Sequence, residues 1–133
     1  MAELTYFQLR IIRGVGLKIG VARPGCDMDS AFCDEVNGWG LFDGALRHGK
    51  EMPRPYGAKI NGVHEGSRLD DGDVVGVLVD RIDGRLTYYK NGHSLGLAFE
   101  DPEICHGDLR PAVATLIKGN QFANECPRGC IED

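Results

Sequence analysis

The chain has 133 residues, 42% hydrophobic and 26% charged, with a formal net charge of −5. That length suits one domain able to bury about two-thirds of its unfolded surface, and the acidic balance argues against a nucleic-acid partner. No apolar run approaches the ~18 residues of a membrane span, and MAELTYFQLR lacks the basic-then-apolar order of a secretory signal.

The 19 glycines are roughly twice the average usage and lie scattered between short apolar runs, which predicts many tight turns and an all-β fold. Tyr6 to Ile12 (YFQLRII) alternates, Gly14 and Gly16 punctuate it, and Leu17 to Ala22 (LKIGVA) resumes, so the two runs predict a hairpin. Residues 23–35 (RPGCDMDSAFCDE) lack a strand period and open on a Pro24-Gly25 turn signal, which predicts a long exposed connection. Trp39 to Phe42 and Ala45 to Arg47 flank Asp43-Gly44, the next hairpin signal. Gly49 to Ser67, with Pro53 and Pro55, reads mostly as loop, and Asp70-Asp71-Gly72-Asp73 closes it. Val74 to Val79 (VVGVLV) is a continuous β-branched run, expected as a central strand buried on both faces. Asp83-Gly84 turns it into Arg85 to Lys90, and Asn91-Gly92 turns that into Ser94 to Phe99. The two-residue period puts Leu86, Tyr88 and Lys90 on one face and Thr87 with Tyr89 on the other. Leu109 to Leu116 and Asn120 to Ala123 complete the predicted strands. No segment longer than about ten residues carries a helical period. Many short strands with turn signals at roughly 8–12-residue spacing predict a sandwich or barrel.

Candidate chemistry is sparse. Cys26, Cys33, Cys105, Cys126 and Cys130 are odd in number and lack paired spacing, so a disulfide framework is not expected. Cys126 and Cys130 offer half a zinc site, but no Cys/His pair at ligand spacing accompanies them. Reduced thiols, no metal, no cofactor and an intracellular setting are the expectation. His48, His64, His93 and His106 sit beside glycine, charged or small polar residues in turns. Cys105-His106-Gly107-Asp108 lines up a nucleophile, a base and an acid. Consecutive strand residues point to opposite faces, however, and triads assemble in space rather than in sequence. Asp70, Asp71 and Asp73 lack the continuation of a calcium loop. No catalytic residue is expected, and Trp39, the single tryptophan, is expected in the core.

The ordered fragments GDVVGVLVD (72–80), GRLTYYKNG (84–92), LGLAF (95–99) and LRPAVA (109–114) together resemble the SPRY domain. YFQLRI (6–11) and IGVA (19–22) are similar to its opening strands, and GWGLFDGALRHGK (38–50) to the branch found in SOCS-box and F-box substrate receptors. The resemblance spans roughly residues 5 to 123. It implies a twisted antiparallel β-sandwich, concanavalin or jelly-roll-like, that recognises a protein or extended peptide without catalysis. The expected organisation is one domain, 1–125, with a short tail, 126–133, in a monomer with no room for a catalytic or SOCS-box companion. In the receptor branch, the peptide pocket combines a loop after the IGVA-like strand, a tyrosine after the HxGK-like stretch, and a tight turn after the PAVS-like strand. Matching positions here are Arg23-Pro24-Gly25, Tyr56 and Ile117-Lys118-Gly119, expected together at one end of the sandwich. Lys118 stands where that branch carries an aromatic, so its Asn-rich peptide preference is not carried over. Arg and Tyr are the side chains enriched at binding hot spots, and glycine lets a ligand approach the backbone. Arg23 and Lys118 would favour an acidic or carbonyl-rich peptide. The alternative is a lectin-like sandwich that binds glycan, since sandwich loops also present aromatic and carboxylate groups.

Overall fold

The computed structural model describes residues 1–13, 17–26, 32–64, 66–115 and 121–125. In chain order its strands are β1 (Leu4–Arg13), β2 (Leu17–Ala22), β3 (Gly38–Phe42), β4 (Ala45–Arg47), β5 (Arg54–Pro55) and β6 (Lys59–Ile60). They continue with β7 (Val63–His64), β8 (Val74–Asp80), β9 (Arg85–Lys90), β10 (His93–Glu100), β11 (Arg110–Thr115) and β12 (Gln121–Glu125). One sheet runs β10-β9-β8-β1-β12, the second β11-β2-β3-β4-β5, and β6 with β7 forms a separate two-stranded ribbon. The antiparallel sandwich expected from the sequence is therefore present, with β8 at the centre of the first sheet.

Alternation builds the core between the sheets. Phe7, Leu9 and Ile11 of β1 and Val75, Val77 and Val79 of β8 point inward, as do Leu86 and Tyr88 of β9. The second sheet answers with Ile19, Val21, Trp39, Leu41 and Leu46. Each such side chain taken fully from water contributes roughly 1.5–3 kcal/mol. Tyr88 brings a hydroxyl into this core and donates it to the carbonyl of Ile19 at 2.7 Å, so one polar atom ties the two sheets together. Trp39 is fully buried, as expected.

Three expectations change. β1 and β2 do not form a hairpin: β1 pairs with β8 and β12, whereas β2 pairs with β3 and β11. Placing them in opposed sheets buries Phe7, Leu9 and Ile11 of β1 against Leu17, Ile19 and Val21 of β2 in one core, while the other face of β2 is covered as well. The β1 ladder with β8 runs unbroken from Leu4↔Asp80 to Arg10↔Val74. Second, the connection after β2 is not wholly exposed. Phe32 and Cys33, in a short 3-10 helix (Phe32–Asp34), are fully buried against Ala22, Ala112 and Ala114 on the outer face of the second sheet. Glycine makes this seat possible, because a Cβ on Gly38 would stand 1.7 Å from the carbonyl oxygen of Phe32. Burial in this seat pushes the Cys33 thiol up to about 11. Third, the stretch expected mostly as loop between Gly49 and Ser67 contains β5 and the ribbon.

Turn chemistry follows the sequence closely. Asn91 and Gly92 have φ of 51° and 82°, the paired positive values that a type I′ hairpin requires. Asn91 also accepts the N–H of Val74 at 2.8 Å and donates to Asp73 at 3.0 Å, fixing the hairpin tip to the start of β8.

Gly38→Ala should lower stability by about 1–3 kcal/mol, the usual range for overfilling a packed site. Val36→Ala, nearby and exposed, should stay within about 0.5 kcal/mol. Urea unfolding midpoints at constant m-value check both; equal midpoints would remove the tight seat from the account.

Candidate functional site

Arg23 leaves the end of β2 and turns inward rather than out. Its Nη1 donates to Asn37 Oδ1 at 2.9 Å, and its Nη2 reaches the carbonyl of Glu103 at 2.6 Å and the Glu103 carboxylate at 3.2 Å. The guanidinium lies 5.3 Å from the centre of the Trp39 ring, within cation–π range. Arg81, just after β8, grips the same segment from the other sheet, donating Nε to the Ile104 carbonyl at 3.0 Å and Nη2 to that of Gly107. Its Nη1 holds the carbonyl of Met1 at 3.0 Å. Between these contacts lies a second 3-10 helix (Pro102–Cys105), capped by Asp101 Oδ1, which accepts the N–H of Glu103 at 3.0 Å. The other oxygen of Asp101 accepts Trp39 Nε1 at 3.1 Å. His48 stacks on Trp39 with centroids 4.7 Å apart, its Nδ1 lying 2.8 Å from the carbonyl of Gly38. The Arg23 guanidinium is thus committed to holding this end closed. Pro24 and Gly25 beside it are exposed.

Tyr56 is 6% exposed. Its hydroxyl donates to the Gly96 carbonyl at 2.5 Å and accepts the N–H of Tyr88 at 3.3 Å. Its ring meets Tyr88 edge-on, with centroids 5.8 Å apart. The Tyr56 carbonyl accepts Ser67 Oγ at 2.6 Å, and its N–H donates to the Gly44 carbonyl at 3.0 Å. Arg54 donates to the Ala98 carbonyl at 3.0 Å. Side chains next to one sheet edge, β5, therefore occupy backbone acceptors of the other, β10, which blunts both edges. Burial, partly offset by the N–H of Tyr88, pushes the Tyr56 hydroxyl up to about 12. Tyr56 acts as an anchor for the rim, with little ring surface left to offer a ligand.

The structure places Arg23 and Tyr56 at opposite ends of the second sheet. Register places Pro55 opposite Ala45, Ala45 opposite Phe42, and Phe42 opposite Lys18, so Tyr56 lies toward the Leu17 end of β2. Arg23 follows Ala22 at the other end, about 20 Å away for a six-residue strand. β11 begins at Arg110 opposite Ala22 and ends at Thr115 opposite Leu17. Ile117, Lys118 and Gly119 themselves lie outside the described residues, as do Cys126 and Cys130. Sequence reasoning missed Arg54, Arg81 and Asp101, and no local pattern links Arg81 to carbonyls at 104 and 107. At the Arg23 end, an open groove of about 530 Å³ runs between residues 34–37 and 48–51, with Asp34, Glu35, Glu51 and Lys50 on its walls. Among the described residues, no group of three or more His, Cys, Asp or Glu is placed to hold a metal ion. No helix among them is long and apolar enough to cross a membrane.

The SPRY domain family matches residues 4–128. Ran-binding protein 9 of Xenopus laevis is 32% identical over 101 residues, covering 74% of this chain and 17% of that protein. Ran-binding protein 10 of Danio rerio is 31% identical over 101 residues, covering 74% of this chain and 16% of the relative. The match thus spans about a sixth of the length of these curated relatives. The crystal structure of the SPRY domain of human HERC1 superposes with a TM-score of 0.65 at 18% identity, covering 92% of this chain and 74% of that one. At that identity the likeness speaks for the fold.

Tyr56 carries a testable consequence. Its hydroxyl is raised from 10.0 to about 12, so the neutral form is the one the fold holds. The stability linked to it is complete below pH 10 and is lost as pH rises toward 12. Tyr56→Phe should make the decline between pH 10 and 12 shallower. It should also cost about 1–3 kcal/mol near neutrality by leaving the buried N–H of Tyr88 without its acceptor. Unfolding midpoints of the two proteins across that range check this; parallel alkaline limbs would contradict it.

Proposed function

We propose that this chain, which belongs to the SPRY domain family, is a non-catalytic protein-interaction module that reads a protein or extended peptide with the loops at the Tyr56 end of its sandwich. SPRY domains generally serve as interaction modules, and the family matches most of the chain. The relatives' name, Ran-binding protein, describes a binding role for those proteins and supports an interaction role here. An intracellular setting, as a scaffold or substrate-recognition component, accords with this reading.

The observation that carries the choice of end is the contrast between the two arginine-rich margins. At the Arg23 end, cations and carbonyls satisfy each other within the fold. At the Tyr56 end, hydrogen bonds to Gly44, Gly96 and Ser67 hold three loops in fixed relation, while Asp43, Gly57 to Gly62 and Asn91-Gly92 remain at the surface. Loops fixed before binding lose little entropy when a partner arrives. The lectin-like reading draws no comparable observation to its side.

The test is a hydrogen-exchange footprint, with a partner captured from lysate and identified by mass spectrometry. Added to the native chain, it should protect residues 43–44, 56–64 and 91–96. Protection confined to 34–37, 48–51 and 101–107 would move the site to the opposite groove.

A further inference from the structure

We propose that β11, at the edge of the second sheet, takes up an extended strand from a partner protein, whose backbone continues the ladder and whose apolar side chains line the core margin. This contact is separate from the loops at the Tyr56 end.

β11 has β2 on one side and, among the described residues, no strand on the other. Register tells which of its backbone groups face outward. In an antiparallel sheet the ladder bonds alternate, so each residue of β2 turns its N–H and carbonyl to one neighbour only. The Arg23 N–H reaches the Asn37 carbonyl at 2.9 Å and continues the Ala22↔Gly38 pairing, so odd-numbered residues of β2 face β3. Even-numbered residues therefore face β11, where Ala22, Gly20 and Lys18 meet Arg110, Ala112 and Ala114. Pro111 agrees with this phase, since it stands opposite Val21 and has no N–H to give. The Pro111 carbonyl and both backbone groups of Val113 are left pointing away from the sheet. Among the described residues nothing bonds them.

Two other edges are blunted by contrast. The Gly96 and Ala98 carbonyls of β10 accept Tyr56 and Arg54, and β5 has two residues, one of them proline. On β11 the proline blocks a single donor. An acceptor, a donor and an acceptor in a row at strand spacing are matched by another extended backbone, the geometry of strand addition. Side chains then set the partner's chemistry. Pro111 and Val113 stand opposite Val21 and Ile19 on the core side, and Val113 packs against the main core cluster. Residues added opposite them continue an apolar margin. Where β11 begins, a cleft of about 340 Å³ opens toward the start of β1, with Met1, Leu109 and Pro111 among its walls. The charges on that wall, Asp108 and Arg110, pair with each other at 3.4 Å, so an apolar side chain suits it better than a charged one.

Selection from a displayed library of short random peptides tests this, with hydrogen exchange read on the native chain. Without peptide, the Val113 amide should exchange faster than those of Ala112 and Ala114. The native chain should enrich peptides that alternate Val, Ile or Leu with other residues, and the best of them should slow exchange at Val113 at least tenfold. N-methylation along that peptide should weaken binding at least tenfold at every second residue and little between them. Val113→Pro should abolish binding, whereas Val113→Thr, which keeps the N–H, should retain it. Circular dichroism checks both folds, and the N-methyl scan decides the matter should Val113→Pro not fold. A peptide indifferent to N-methylation would overturn the proposal. Protection at 43–44, 56–64 and 91–96 in place of Val113 would overturn it too, while leaving the module reading intact. Dimers of the native chain that Val113→Pro abolishes would make the occupant a second copy and equally overturn it. If no peptide is enriched, the edge proposal falls and the module reading keeps its own footprint test.

Discussion

Five backbone carbonyls set the shape of one end of this protein. Those of Glu103, Ile104 and Gly107, with His106 and Met1, lie outside the strands. Two arginines meet them, Arg23 from the end of β2 and Arg81 from the end of β8. A guanidinium has five donors in a fixed plane and no acceptor, so one side chain can satisfy several carbonyls at once. Asp101 completes the arrangement by accepting Trp39 and capping the following 3-10 helix. The ends of β2 and β8, one from each sheet, are thereby bonded to one shared segment, 101–107.

That lock has a functional consequence. The Arg23 guanidinium is already bonded to Asn37 and Glu103 within the fold, which leaves fewer of its donors free than its sequence position suggests. At the opposite end polar groups are also satisfied, but they are used to hold loops in place. Arg54 and Tyr56 occupy acceptors of β10 and close the gap between sheet edges. The loops they position keep their outer surfaces free of the core. The outer face of the second sheet, meanwhile, is occupied by Phe32 and Cys33, which the glycines of GWG admit.

Much of this was legible in the sequence, and the reasons are local. Asp43-Gly44 and Asn91-Gly92 announced their turns because few residues tolerate positive φ, and the alternation of Leu86 to Lys90 gave its buried face. The ordered fragments from Gly72 to Ala114 gave the fold. What was not legible is non-local. Period tells which face of β1 and β2 is buried, but it does not tell whether two adjacent runs share a sheet. Nothing in RPGCDMDSAFCDE announces that Phe32 will find a glycine floor contributed by residues 38–40. Arg23 and Tyr56 both stood at motif ends, yet only the register of β2 against β3 and β4 reveals that they lie at opposite ends of the sheet.

Arg23 and Arg81 act together on one segment, and a double-mutant cycle measures this directly. Arg23→Gln, Arg81→Gln and the double variant would be compared by equilibrium unfolding, with hydrogen exchange read at residues 102–107. Each single change should cost about 1.5–3 kcal/mol, as for other hydrogen bonds to charged groups. The double change should cost less than the sum by at least about 0.5 kcal/mol, since releasing the segment once leaves less for the second change to release. Amide exchange at 102–107 should accelerate in all three variants. Strictly additive effects, with exchange in that segment unchanged, would contradict the account.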